Sequence, residues 1–440
     1  MSVSSPSELD PRRRLTKRGR RGVESTEFVA APLPLGVTTR WLRGRIISRL
    51  ASLDLRDVEI ADAAGVHAFG LIEKANDSSG DGDRAARIEV LDPRFYRSVA
   101  CGGSLGFGRA YVDGEWTTPD LPTLLQRLAR ATVGNARVEG PATWPARIAR
   151  TIRQLGRRNT RRGSRRNIHA HYDLRNEFFA LFLDESMTYS SGLFEGPETT
   201  LAESQIAKYD RIAQRLQLNQ RDHVVEIGCG WGGFAEHAAS RYGCRVTGVT
   251  ISQAQFDYAR RRIAAAGLDD RVEIRLCDYR DLQGRYDKLA SIEMIEAVGH
   301  EFLPTFFAKC SSLLKPTGLM MLQAITIPDQ RYRHYRRSVD FIQEYVFPGG
   351  NVPSVGAICD AVAASTDLRL LELADFAGDY ARTLLAWREA CQANAARIAA
   401  LGFDDRFQRT WDYYLCYCAA GFLERQIGLA HILLAKPQAR

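Results

Sequence analysis

Residues 224–234 read VVEIGCGWGGF. An apolar run ends in a carboxylate, Glu226, and four glycines follow within six residues. Such a loop lets backbone approach a ligand closely, because glycine adopts conformations that a Cβ forbids. Gly228, Gly230 and Gly233 satisfy the dinucleotide fingerprint G-x-G-x-x-G. Glu226 with Gly228, Gly230 and Gly232 also fits an acid-x-G-x-G-x-G loop suited to S-adenosylmethionine. The flanking sequence separates the two. A nicotinamide site needs a carboxylate about 20 residues on, at the end of the second strand, to hold the ribose. Here that strand, CRVTGVT, ends at Thr250 and continues ISQAQ, with no acid available. Glu226, two residues ahead of the first glycine, can instead face the cationic methionine end of S-adenosylmethionine. Asp278, closing the third strand in RLCDYRD, is placed to accept from an adenine amino group. Gln255 or Ser252 stands in for the missing second-strand acid. S-adenosylmethionine is the expected cofactor, and a dinucleotide the alternative.

Around this loop the pattern is α/β. VVEIG, CRVTGVT, VEIRLCD and DKLASIE read as buried strands, with helices over GGFAEHAASRY and QAQFDYARRRIAAAG between them. That alternation predicts a Rossmann-like domain over 171–437 with a mainly parallel sheet and right-handed crossovers. Ligands in such sheets bind at the carboxyl ends of the strands. Residues 328–370 interrupt the alternation with polar and aromatic sequence (RYRHYRRSVDFIQEYVFPGG), read as a helical insertion covering the site. Upstream, residues 31–140 form a small α+β domain. A helix is expected over TRWLRGRIISRLAS, with Trp41, Ile46, Ile47 and Leu50 on one face. Strands are expected at HAFGLI and RIEVLD around the loop NDSSGDGD, and a helix capped by Asp120 at DLPTLLQRLARA.

The chain has 440 residues, 25% of them charged, and a formal net charge of +8. No apolar stretch reaches the roughly 18 residues of a transmembrane helix, and the N-terminus lacks the apolar segment of a secretory signal. Nine scattered cysteines without metal-ligand spacing fit reduced thiols of the cytoplasm, and no metal site is expected. The charge is concentrated. PRRRLTKRGRRG (11–22) falls in a basic tail expected to be disordered over 1–30. The span Arg147–Arg166 holds nine arginines and no acid, within an expected linker over 141–170. Arginine binds phosphate bidentately, so an anionic membrane surface is the expected partner. Nucleic acid is not expected, since no nucleic-acid-binding signature accompanies the charge.

Long ordered motifs then become familiar. HYDLRNEFFALFLDESMTYSSGLFE, VVEIGCGWGGFAEHAA, EMIEAVGHEF, EYVFPGGNVPS, YARTLLAW and WDYYLCYCAAGF resemble the cyclopropane-fatty-acyl-phospholipid synthase family, which includes the mycolic acid cyclopropane synthases and methyltransferases. FYRSVACGGSLGFGRAYVDGEW is similar to the smaller N-terminal domain of full-length synthases. The resemblance implies cofactor contacts at Tyr189, Ser190, Gly228, Gly230, Gln255, Asp278 and Tyr279. It also implies a bicarbonate ion beside the reacting carbon, held by the Ser191 backbone, Glu296, Gln323, the Ile325 backbone and Tyr380. Two positions depart from the family pattern: Ser191 replaces a cysteine, and Gln323 replaces a histidine and cannot titrate. His300, four residues past Glu296, has no visible role. The bland readings are an acid favouring a helix dipole for Glu296, a core tyrosine for Tyr380 and a satisfied buried amide for Gln323.

The implied reaction is attack of an isolated alkene on the sulfonium methyl, leaving a carbocation that a bound anion deprotonates. Tyr345, Phe347, Trp387, Tyr413 and Tyr414 are candidates to line an acyl tunnel. The expected enzyme is a cytoplasmic protein, peripheral on the inner face of the membrane, that acts on unsaturated phospholipid acyl chains, with a homodimer as the expected assembly. A cyclopropane is the leading product and a methylene or methyl branch the alternative. An RNA methyltransferase and a non-catalytic membrane-binding protein are the readings from other classes.

Overall fold

The computed structural model describes residues 36–70, 85–132 and 175–440. The basic tail, the loop NDSSGDGD and the arginine-rich span lie outside them. The chain enters with helix α1 (Val37–Ala51) and strands β1 (Val58–Asp62), β2 (Gly65–Phe69) and β3 (Ala86–Val90). Helix α2 (Arg94–Val112), the short β4 (Trp116–Thr117) and helix α3 (Leu121–Thr132) follow. These strands form one sheet in the order β2-β1-β3-β4. The Asp120 side chain accepts from the Thr123 amide at 3.2 Å, capping α3 as its sequence suggests.

Trp41, Ile46 and Leu50 of α1 line the same cavity. Ile46 is buried, whereas Trp41 is 59% exposed and has the Arg45 guanidinium over its ring. Helix α2 runs through a glycine-rich sequence, and the glycines are where it must pack closely. The backbone kinks at Gly103, whose φ is 58°. At Gly108 a Cβ would come within 2.8 Å of both the Phe341 and Tyr413 rings, which belong to the second half of the chain.

The larger part begins with α4 (Leu201–Arg215), closed at its start by a Thr200–Glu203 capping box. Then come β5 (His223–Ile227), α5 (Gly233–Tyr242), β6 (Arg245–Thr250), α6 (Gln253–Ala265), β7 (Val272–Leu276) and β8 (Tyr286–Ile292). The chain continues through α7 (Leu303–Leu313) and the long β9 (Leu314–Thr326). The insertion contains α8 (Asp329–Tyr335), α9 (Phe341–Tyr345) and α10 (Val355–Ser365). β10 (Arg369–Asp375), α11 (Ala377–Ala393), α12 (Asp405–Leu423) and β11 (Gly428–Ala435) complete the described elements.

The seven strands lie in the order β10-β11-β9-β8-β5-β6-β7. β5 to β9 pair in parallel, and β11 is antiparallel to both β9 and β10. β5 is apolar on both sides because helices cover both faces of the sheet. Val225 and Ile227 pack with Phe306 and Phe307, while Val224 packs with Phe234 and Ala235. The strand order reverses between β5 and β8. Ligands of doubly wound sheets bind at the carboxyl ends flanking that switch point, here Glu226–Gly230 and the residues just past Ile292.

One hydrophobic core joins the small sheet to this domain: Ile46, Phe95 and Trp116 belong to the same cluster as Trp387, Trp411 and Tyr414. Polar contacts reinforce the junction, with Tyr111 donating to Asp412 at 2.9 Å and Arg130 pairing with Glu424 at 2.8 Å. Gly108→Val forces the Phe341 and Tyr413 rings apart and should destabilise the fold by about 1–3 kcal/mol. Urea unfolding followed by tryptophan fluorescence checks this, and an unchanged midpoint would contradict the packing described.

Candidate active site

A cavity of about 1730 Å³ starts at the glycine loop and reaches the small N-terminal sheet. It is larger than the roughly 300–1,000 Å³ of a typical small-molecule site, so it has room for a nucleoside and a long second ligand. Its walls include Glu226, Gly230 and Asp278 at one end, and Trp41, Ile88 and Phe95 at the other.

The loop end is built for a cation. Gly228 and Gly230 have φ of 85° and 52°, and a Cβ on Gly230 would project into open space. The Glu226 side chain is buried and its Oε2 has no partner. Burial pushes its carboxyl up to about 8, opposed by the charge of Lys208. Lys208 is itself fully buried and donates to Ser190 Oγ at 2.6 Å. Burial lowers its ammonium to about 7, against the pull of Glu293, Asp184 and Glu226. An unpartnered carboxylate beside a bare glycine loop fits the ammonium and sulfonium of S-adenosylmethionine. That molecule, when bound, supplies an electrophilic methyl group.

The other residues expected at the cofactor have defined surroundings. Asp278 is gripped by Arg280 through 2.8 and 2.6 Å contacts, with Tyr279 beside it on the cavity wall. Gln255 Oε1 accepts from Thr250 Oγ1 at 2.8 Å, and Ser252 caps α6. Tyr189 stacks on Trp387 with centroids 5.1 Å apart, and its hydroxyl lies 2.9 Å from that of Tyr414.

Three of the five residues assigned to bicarbonate, Ser191, Gln323 and Tyr380, come together, but around a side chain that the sequence reading passed over. Glu293 follows β8 directly, at the switch point. The Ser191 amide N–H donates to Glu293 Oε1 at 2.9 Å, Gln323 Nε2 to the same oxygen at 2.6 Å, and the Tyr380 hydroxyl to Oε2 at 2.5 Å. His431, opposite Gln323 in the β9–β11 register, holds the amide from behind with Nε2 2.8 Å from Gln323 Oε1. His431 is buried and neutral, lowered to about 3 by desolvation. With the Gln323 amide nitrogen donating to Glu293, its Oε1 faces His431, which the Nε2–H tautomer of the imidazole matches.

Glu296 stands outside this set of bonds. Its Oε1 accepts from the Ile325 amide at 2.5 Å and its Oε2 has no partner. Burial, reinforced by the charge of Glu293, pushes the Glu296 carboxyl up to about 8. His300 bonds Tyr332 of the insertion at 2.8 Å.

The Ser191 amide, Gln323 and Tyr380 already point at one carboxylate, so this donor set does not fit a further anion. Of the aromatic residues expected in a tunnel, Phe347, Tyr413 and Tyr414 line the cavity, whereas Trp387 is fully buried behind Tyr189. Sequence reasoning missed Glu293, Lys208 and His431. Only Glu293 left a signal, an acid directly after an apolar strand in SIE.

Comparison with known proteins agrees with this geometry. Residues 159–432 match the family model described as mycolic acid cyclopropane synthetase. Tuberculostearic acid methyltransferase UfaA1 of Mycobacterium tuberculosis is 42% identical over 333 residues, covering 74% of this chain and 77% of that protein. Cyclopropane-fatty-acyl-phospholipid synthase of Escherichia coli is 35% identical over 361 residues, covering 81% and 89%. The crystal structure of mycolic acid cyclopropane synthase CmaA1 complexed with SAH and CTAB superposes with a TM-score of 0.58 at 31% identity, covering 62% of this chain and 98% of that one. The chain therefore belongs to the mycolic acid cyclopropane synthetase family, and is an S-adenosylmethionine-dependent methyltransferase of fatty acyl chains.

Proposed function

We propose that this enzyme transfers the methyl group of S-adenosylmethionine to the double bond of an unsaturated acyl chain in a membrane phospholipid. The observation that carries the reading is the single cavity, which runs from a cation-binding glycine loop into apolar walls contributed by both parts of the chain. An isolated alkene is a weak nucleophile, so reaction requires exclusion of water and close alignment with the methyl group. The rings of half-buried Tyr189 and buried Tyr380 and Tyr414, all on the cavity wall, support the cation that follows, since aromatic faces attract positive charge.

Access from a membrane is supported by α1. Val37 and Trp41 are exposed, and Arg45 and Arg49 line the cavity beside Trp41. No helix among the described residues is long and apolar enough to cross a membrane, so this surface and the basic segments are the means of approach to the lipid.

The cation can collapse in two ways, each losing a proton from the transferred methyl. Direct loss closes a cyclopropane, the product the motifs put first. Loss after a hydride shift leaves a methylene branch. The higher identity to the tuberculostearic acid methyltransferase than to the E. coli cyclopropane synthase favours the branched product.

Purified protein given methyl-labelled S-adenosylmethionine and vesicles of unsaturated phospholipid should label the acyl chains, and saturated vesicles should stay unlabelled. Proton NMR of the released fatty acid should show vinylidene protons rather than upfield cyclopropane protons. Label found only in small molecules, protein or RNA would overturn the reading.

A second expectation concerns the cofactor. At pH 6.5 Glu226 holds a proton that must leave before it can face a cation, and Lys208 loses its charge over the same window. Affinity for S-adenosylmethionine should therefore rise between pH 6.5 and 8, by up to about tenfold per unit. Glu226→Gln should bind more weakly with a flatter profile. Equilibrium binding at several pH values checks both, and a flat profile in the parent protein would contradict the role of Glu226.

A further inference from the structure

We infer that Glu293 is the general base of the reaction, a carboxylate built into the chain where a bound inorganic anion would otherwise be needed. The inference rests on the methyl transfer proposed above and adds the group that ends it.

Three independent features single out this residue. The first is position. Glu293 lines the cavity at the carboxyl end of β8, across the switch point from the glycine loop that ends β5. The second is backbone conformation. Its φ is 50°, in the left-handed region where a residue with a side chain is strained and glycine is not. A carboxylate kept where glycine would fit better points to use of its side chain. The third is the set of donors. The Ser191 amide, Gln323 and Tyr380 come from a loop, a strand and a helix that are remote in sequence, and all converge on its two oxygens. Burial pushes the Glu293 carboxyl up, and the Tyr380 hydroxyl, the Lys208 charge, the Ser191 amide and Gln323 oppose that rise, since donors to a carboxylate favour its charged form.

The other candidates fail on geometry. Tyr380 donates its proton to Glu293. Gln323 cannot titrate, and His431 is turned toward Gln323 and does not line the cavity. Glu296 and Glu226 line the cavity, but each has a buried oxygen with no donor to stabilise a charge. Burial raises both carboxyls, but only Glu293 has donors on both oxygens, and that difference divides the roles of proton acceptor and neutral acid. Glu293 takes the first role and Glu296 the second.

The step balances without an external reagent. The alkene π pair forms the new C–C bond as the sulfonium–methyl bond breaks, leaving neutral S-adenosylhomocysteine and a cation on the neighbouring carbon. Glu293 then takes one proton from the transferred methyl and becomes a neutral acid. The C–H pair closes the three-membered ring, or forms an exocyclic double bond when a hydride has shifted first. A saturated methyl branch would require a later reduction by a separate hydride donor.

The test uses the full-length protein with labelled S-adenosylmethionine, on whichever acceptor the parent protein methylates. A failure of the lipid reading then shows in the acceptor, and a failure of the base assignment shows in the ratio of variant to parent. Parent turnover should be the same in buffer stripped of carbon dioxide and in buffer with millimolar bicarbonate. Glu293→Gln should lose at least about 100-fold in kcat, with affinity for S-adenosylmethionine within about threefold of the parent. Glu296→Gln should lose less, because an amide replaces a carboxyl that is already neutral. Parent turnover that falls severalfold without bicarbonate would overturn the assignment. So would Glu293→Gln retaining more than a tenth of the activity, or losing cofactor binding together with turnover.

Discussion

The Glu293 carboxylate is the constraint around which the site is arranged. A buried charge is tolerated only when it is paired and hydrogen-bonded, and here its donors reach it from separate elements. Ser191 precedes α4, Gln323 lies on β9 and Tyr380 on α11. Fixing their distances to one side chain fixes the pocket between them. His431 extends the arrangement to β11 through its contact with Gln323 Oε1. The glutamine that replaces the family's histidine is thus not an isolated departure. A neutral donor suits a site whose anion is already covalently present.

Electrostatics divides the cavity into two ends. At the glycine loop, Glu226 awaits a cation, and burial keeps it near neutral until one arrives. Past β8, Glu293 is supplied with donors while Glu296 is held as an acid. Lys208, buried beneath both ends, feels both Glu226 and Glu293 and links their charge states. Much of the remaining wall is apolar, including Ile88, Phe95, Leu125 and Phe347, which suits a hydrocarbon, while Arg45, Arg331 and Arg425 add charge to it.

Much of this was legible in the sequence. The glycine loop, the missing acid at Thr250 and the alternation of strand and helix pointed to the sheet and the cofactor. Tyr380, Gln323 and Ser191 were found through motifs, and the structure brings them together. The EMIE motif holds two acids three residues apart, and pattern reading took Glu296. Only the backbone turn after β8 separates their roles, and a left-handed glutamate has no signature in one dimension. The partner of Gln323 lies 108 residues away, on a strand that reads as plain core. Helix α2 was hidden by its own glycines, whose low helix propensity is overridden by close packing against Phe341 and Tyr413. The α1 face was legible from its spacing, but that its Trp41 end stays exposed beside the cavity was not.

The most direct measurement is chemical rescue of Glu293→Gly, which removes the carboxylate, relieves the left-handed backbone and leaves the three donors free for an added anion. Initial rates of methyl transfer would be followed as bicarbonate is titrated into protein purified free of it. The account predicts turnover that rises from near zero and saturates with bicarbonate in the variant, against a flat response in the parent. A variant that binds S-adenosylmethionine but stays inactive at every bicarbonate concentration would contradict it.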